Sequence, residues 1–432
     1  MFEVILLLGS MVFLLFIRTP IAFGMIIAAW ITFMAIDHPV FSNPAYLSRL
    51  SFYAVDMFAL LAVPFFLLAG DLVQFGLAER LIRWVQSLIG FIRGALGAVA
   101  VLSSLMFGAI SGSMMATIAA IGPMMMPEME KSGYTKKNAA ALITASGFLG
   151  ILIPPSIPSL IYATIAGLSV AELFIATVVP GFILASGYLV INYLMIGRKL
   201  PAPQVTRVYT AQGMKEFGRA SKTAVPILLM PIIVLGGIYG GIFTPTEAGV
   251  IAVVYGLVLG FVLKMWTGNE LTKVFLQSAR TTAVVLFLVA FAAPLGRIFS
   301  VLKVPDIIAG FIMSITSDPY GVVLIVSFVI FILGMFLDTN AIILITIPVF
   351  APLIASVGFH PLQYAALTVV NLGIGCITPP FGFGLFMGAR VAGLKVHEII
   401  PSLLPYLIWC IITLLLVLFI PQLSLWLPSV LL

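Results

Sequence analysis

Gly147-Phe148-Leu149-Gly150-Ile151-Leu152-Ile153-Pro154-Pro155-Ser156 interrupts one apolar run, and 225 positions later Gly375, Pro379 and Pro380 interrupt another. A proline has no N–H and its ring displaces the carbonyl four residues back, so a helix carrying two in tandem breaks there. The carbonyls deprived of their helical partners are those of Gly150 and Ile151 in the first stretch and of Gly375 and Cys376, beside Asn371 and Thr378, in the second. Hard cations take oxygen ligands. Carbonyls of an unwound membrane helix, joined by Ser, Thr or Asn side chains, suit sodium.

The same offset extends through most of the chain. Thr19, Pro20 and Gly24 meet Thr244, Pro245 and Gly249, and Pro123, Pro127, Gly133, Ala140, Ala141 and Leu142 meet Pro348, Pro352, Gly358, Ala365, Ala366 and Leu367. A slip of one residue then aligns Ala166-Gly167-Leu168 with Ala392-Gly393-Leu394. Two repeats follow, 1–200 and 222–432, with 201–221 as a cytoplasmic linker. Each is read as scaffold helices, an interfacial arm helix, a re-entrant hairpin, a broken helix and a final helix. The hairpins are placed at 94–127 and 321–352, and the broken helices at 138–167 and 361–394. The arm at Leu77 to Ile92 sets Arg80 and Arg83 beside Leu81, Ile82, Trp84 and Val85, as an interfacial amphipathic helix does. Its counterpart lies at Pro305 to Ile315. An odd number of crossings in the first repeat turns the second upside down, and inverted repeats are typical of secondary transporters.

With 62% hydrophobic and 8% charged residues, the chain excludes an ordinary soluble domain, in which about a quarter of residues are charged. It is an all-α polytopic membrane protein, with about ten crossings and two hairpins. The net charge of +6 follows topology, so the lipid bilayer is its surroundings and no nucleic acid is implied. With Arg198, Lys199, Arg207, Lys215, Arg219 and Lys222 in the cytoplasm, 18 of 21 basic residues fall inside, Arg49, Arg297 and Lys303 excepted, and both termini lie outside. Glu3 before the first apolar run and Arg18 after it reverse the charge order of a signal peptide. His38, His360 and His397 lack metal-site spacing, and Cys376 and Cys410 are too few for a disulfide framework. No catalytic motif or nucleophile–base pair is seen, and without a ring of pore charges a channel is disfavoured.

The hairpin tips read Gly108-Ala109-Ile110-Ser111-Gly112-Ser113 and Leu337-Asp338-Thr339-Asn340, rich in turn residues within apolar sequence. Basic flanks (Arg93, Lys131, Lys136, Lys137) make the first enter from the cytoplasm; the second enters from outside. The candidate first sodium site is Ser111, Ser113, Gly150, Ile153 and Pro155; the second is Asp338, Thr339, Asn340, Asn371, Gly375, Thr378 and Pro380. Asp338 is the one acid placed at a hairpin tip, and an intramembrane acid is a functional hypothesis by default. Glu247 in Thr244-Pro245-Thr246-Glu247 is instead the third helical position of a capping box.

These segments, with Gly133-Tyr134, Ile153-Pro154-Pro155-Ser156, Gly241-Ile242-Phe243-Thr244-Pro245-Thr246-Glu247-Ala248 and Thr378-Pro379-Pro380, resemble the large membrane subunit, the DctM-type permease, of tripartite ATP-independent periplasmic (TRAP) transporters. The resemblance covers essentially the whole chain. It implies an elevator-type transporter, working with a small four-helix membrane subunit and a soluble periplasmic substrate-binding protein in the bacterial inner membrane. It also implies sodium-coupled uptake of a small carboxylate, with no cofactor beyond the coupling ion. The family's sodium positions fall on Ser111, Gly150, Ile153 and Pro155, and around Asp338, Gly375, Thr378 and Pro380. The first repeat begins at the first residue, so a fused small subunit is not expected. C4-dicarboxylates, sialic acid, keto acids and sugar acids are all open as substrates, and a direct sodium/carboxylate symporter is the alternative.

Overall fold

The computed structural model describes residues 2–36, 45–74, 78–200 and 210–432, and among these every regular element is helical. His38, Leu77 and residues 201–209 of the linker, with Arg207, lie outside the described residues. Helices α1 (Phe2–Phe16), α2 (Ile21–Ala35) and the pair α3 (Ala45–Val55) and α4 (Ala62–Gln74) lead to the arm α5 (Ala78–Ile89). A hairpin of α6 (Ala95–Ser111) and α7 (Met114–Lys131) follows, then a helix broken into α8 (Lys136–Gly147), α9 (Leu149–Leu152) and α10 (Ile157–Ala166), and α11 (Val170–Met195). The order then returns: α12 (Ala211–Tyr239), α13 (Pro245–Val262), α14 (Gly268–Val301), the arm α15 (Val304–Ile315), a hairpin of α16 (Pro319–Gly334) and α17 (Thr339–Ser356), a helix broken into α18 (Pro361–Ile377) and α19 (Phe383–Ala392), and α20 (Val396–Phe419). A short α21 (Gln422–Leu431) packs on α11.

Seven of the described helices or broken helices are long and apolar enough to cross a bilayer, nine if each of two bent pairs counts as one span. One of the seven, Thr339–Ser356, is half of a hairpin. The other six reach the expected ten only together with α1, α2, the bent α3–α4 and the broken α18–α19. At 15 residues each, α1 and α2 are short for a core about 30 Å thick.

Local sequence explains the starts and stops. Thr244 N–H donates to Glu247 Oε2 at 2.8 Å and Glu247 N–H donates to Thr244 Oγ1 at 3.3 Å, closing a capping box with Pro245 at the first helical position. On α5, Leu81, Ile82 and Val85 are buried while Arg83 pairs with Glu79 at the surface. Trp84 Nε1 donates to Ser221 Oγ at 3.0 Å, holding this arm to α12. The hairpins outrun their expected ends: α7 continues past Pro127 to Lys131, and α17 past Pro352 to Ser356. The missing N–H of Pro127 falls opposite the carbonyl of Pro123, so only one ladder bond is lost there and the remaining turns close normally.

Two sets of helix contacts can be told apart, joined where α14 packs on α17 and α4 packs on α6. In one, α4 lies along α13, and α14 runs against α2, α3 and α4. In the other, the repeats interlock: α7 packs on α19 and α10 on α17, so each hairpin holds the outer half of the other repeat's broken helix. Phe148, fully buried at the turn after α8, lays its ring against Gly373 of α18, where a Cβ would overlap it.

Candidate functional site

The first tip forms because α6 stops at Ser111 and Gly112 turns the chain at φ 59°, a conformation that costs glycine nothing. Ser113 then caps α7, its Oγ accepting the Ala116 N–H at 3.4 Å. This tip lies directly on the break. A Cβ on Gly112 would strike the Pro155 carbonyl, and one on Gly108 would stand 2.8 Å from Gly150 Cα. The Gly150 backbone in turn faces the Ser113 carbonyl and Thr117 Oγ1. Thr117 Oγ1 donates to Ser113 O at 2.8 Å and lies 3.4 Å from Ser111 Oγ. Ser111, Ser113, Gly150 and Pro155 are thus gathered in one place. Ile153 packs its side chain on Gly181 of α11, leaving its backbone facing the break.

The second tip repeats the close approach, with a Cβ on Gly334 only 2.9 Å from Gly375 Cα. Asp338 caps α17, its Oδ2 accepting the Asn340 N–H at 3.0 Å. Asn371 Nδ2 donates to Ser327 O of α16 at 2.6 Å, which ties the hairpin to the broken helix. The Oδ1 atoms of Asn371 and Asn340 are buried without a protein partner. Thr378 Oγ1 donates to Ile374 O at 2.6 Å. Pro380 is exposed at the edge of the break, whereas Asn371 is buried.

Two of the carbonyls expected to be free have acquired donors. Ile151 O accepts Ser156 Oγ at 2.5 Å, and Gly375 O accepts the Thr378 N–H at 3.0 Å. The prolines do remove the ladder bonds, but the chain turning away from each break supplies a nearby donor. A carbonyl oxygen has two lone pairs, so each keeps one position for a ligand.

Both tips and both breaks line a single cavity of about 170 Å³. Its walls carry the first residues of four helices: Met114 of α7, Ile157 and Pro158 of α10, Thr339 and Asn340 of α17, and Phe383 and Gly384 of α19. Helix N-termini present unpaired N–H groups and partial positive charge, which favours an anion. The carbonyl ends of α6, α9 and α18 meet them there, at Gly112, Ile151 and Cys376, and favour cations. None of the described side chains lining the cavity is basic.

Asp71 was not anticipated from sequence. It is buried in α4 and lines a second cavity of about 190 Å³ that also touches Ser111 and Ser113. The signal was present, an acid inside Leu67-Leu68-Ala69-Gly70-Asp71-Leu72, but only its long-range neighbours distinguish it from a residue at a membrane edge.

The family model for the tripartite ATP-independent periplasmic transporter, DctM component, matches residues 8–423. The C4-dicarboxylate TRAP transporter large permease protein DctM of Pseudomonas aeruginosa is 38% identical over 382 residues, 88% of each chain. The sialic acid TRAP transporter large permease protein SiaM of Vibrio cholerae is 32% identical over 420 residues, 96% of each. Among solved structures, the YdaH transporter of Alcanivorax borkumensis matches with a TM-score of 0.63 at 16% identity, over 93% of this chain and 98% of that one, a similarity of fold. The family match spans both repeats and all the tip and break residues described above; the chain belongs to the DctM component family of tripartite ATP-independent periplasmic transporters.

Proposed function

We propose that this chain carries a small organic acid, a carboxylate such as a C4-dicarboxylate or sialic acid, across the inner membrane by symport with sodium. The observation behind this reading is the convergence of four helix N-termini and three carbonyl ends on one cavity. An anion alone would meet the Asp338 carboxylate at the wall, and a cation bound at the second tip would remove that repulsion. Cargo and ion then stabilise each other, which is the physical content of coupling. The unpartnered Oδ1 atoms of Asn340 and Asn371 fit a sodium ligand set, as do the Ser111 and Ser113 hydroxyls with the Gly150 and Pro155 backbone. Thr339, Gly375, Thr378 and Pro380 complete the second set.

The interlocked hairpins and broken helices form the moving body of an elevator, and α4, α13 and α14 belong to its fixed frame. A small four-helix membrane subunit and a soluble periplasmic binding protein complete the transporter. Both termini face the periplasm and no chemical step is catalysed. The test is uptake by the reconstituted complex: it should require both a sodium gradient and the soluble partner. Full uptake without the soluble partner would replace this reading with a direct symporter, and uptake indifferent to sodium would remove the coupling.

A further inference from the structure

Asp71 holds a carboxylate in the second cavity with almost nothing to balance it. The residue is 8% exposed. Gln277 Nε2 of α14 donates to its Oδ1 at 3.4 Å, a long bond, and its Oδ2 is buried with no protein partner at all. Among the described residues lining the cavity, none is basic and no other is acidic. The polar lining is Gln74, Gln277 and Thr281 from the α4–α14 side and Ser111 and Ser113 from the first hairpin, all of them neutral oxygen donors to a cation. An isolated ionised carboxylate withdrawn from water is strongly unfavourable unless it is paired. Protonation alone does not resolve the geometry, because the resulting O–H on Oδ2 would also find no protein acceptor.

We propose that Asp71 is the charged ligand of a further site for a partly hydrated monovalent cation, bound between α4, α14 and the tip of the first hairpin. A cavity of about 190 Å³ has room for an alkali ion with several waters, each occupying about 30 Å³ in the liquid. The backbones close around it: a Cβ on Gly70, the residue before Asp71, would stand 2.9 Å from Ser111 Cα. This site adjoins the first of the two at the helix breaks, sharing Ser111 and Ser113 with it, and adds the Asp71 carboxylate as a third charge-balanced position. Because its ligands come from both packing groups, occupancy fastens the first hairpin to the helices beside it, and loss of the ion leaves an uncompensated charge at that contact.

Sodium is the probe, and the readout is the number of radioactive sodium ions bound at saturation by the purified full-length chain at alkaline pH. Asp71→Asn, which preserves shape and the bond to Gln277, should bind one ion fewer than the unaltered chain, while Asp71→Glu retains the full number. Thr281→Val, at the rim, should keep the number and raise that ion's dissociation constant about threefold, as loss of one neutral hydroxyl does. An unchanged sodium count in Asp71→Asn overturns the site, whether Asp71 proves to be a proton carrier or only an anchor for Gln277. If Asp71→Asn does not fold, an unaltered sodium isotherm in Thr281→Val overturns it instead. Binding is counted without transport, so the outcome is independent of the elevator reading and of the soluble partner.

Discussion

The two hairpin–break pairs are built on the same local plan and covered quite differently. In the first, the broken helix Lys136–Ala166 is buried along its apolar length, Pro154 and Pro155 included. In the second, Pro380 is exposed and Phe336 and Phe381 are 49% and 56% exposed, their rings 5.8 Å apart, with Phe381 stacked on Phe386 at 6.4 Å. The glycine contacts at the two breaks are nearly equal, 2.8 Å and 2.9 Å for an added Cβ. The repeat therefore specifies each pair's internal geometry, and tertiary position decides which pair is sealed. For the carrier proposed above, that inequality would give the cavity a route on one side only.

The largest effect should come from crowding the two glycine contacts. Gly108→Val, in the sealed pair, is expected to cost about 3 kcal/mol and to remove the monodisperse peak on size exclusion, whereas Gly334→Val should cost about 1 kcal/mol, because its pair can yield toward the surface. Equal losses would break the comparison. Next in size is Asp338→Asn, which keeps the cap acceptor but removes the charge; the sodium concentration for half-maximal uptake should rise about tenfold or more with normal yield. Asp338→Ala should add a loss of about 1 kcal/mol in stability from the missing cap. A sodium curve unchanged in Asp338→Asn would leave the residue a cap alone.

Ser111→Ala removes a neutral hydroxyl from the sealed pair and should move the sodium curve only about threefold. A larger shift than that of Asp338→Asn would reverse the ranking of the two sites. Glu247→Ala, remote from both pairs, should lower yield slightly through its capping box and leave the sodium curve where it is. Any displacement of that curve would connect the outer helix start to the ion sites.

The breaks, tips and arms could be read from sequence because each has a local cause. Tandem proline stops a ladder, Ser111-Gly112-Ser113 makes a turn, and Arg80 and Arg83 set among Leu81, Ile82 and Val85 make an interfacial face. What local sequence does not hold is the identity of distant donors and neighbours. The Asn371 amide finds the Ser327 carbonyl, 44 residues away, and Trp84 finds Ser221, 137 residues away. Asp71 gains its meaning only from Gln277, 206 residues away, and from a hairpin tip that touches Gly70. The convergence of four helix starts on one cavity is likewise a tertiary property: Pro158, Asn340 and Gly384 look like ordinary helix beginnings until they are assembled.

Phe148, keyed into Gly373, has a mechanical meaning. A ring this large cannot leave that seat without opening a void, which a close-packed interior resists. The halves of the chain, written separately in sequence, are thereby pinned to each other like two gears on one shaft. In the elevator proposed above, whatever binds at one break would arrive on the far side together with whatever binds at the other. Slippage of the proposed ion without its cargo would then be opposed by the Phe148 ring.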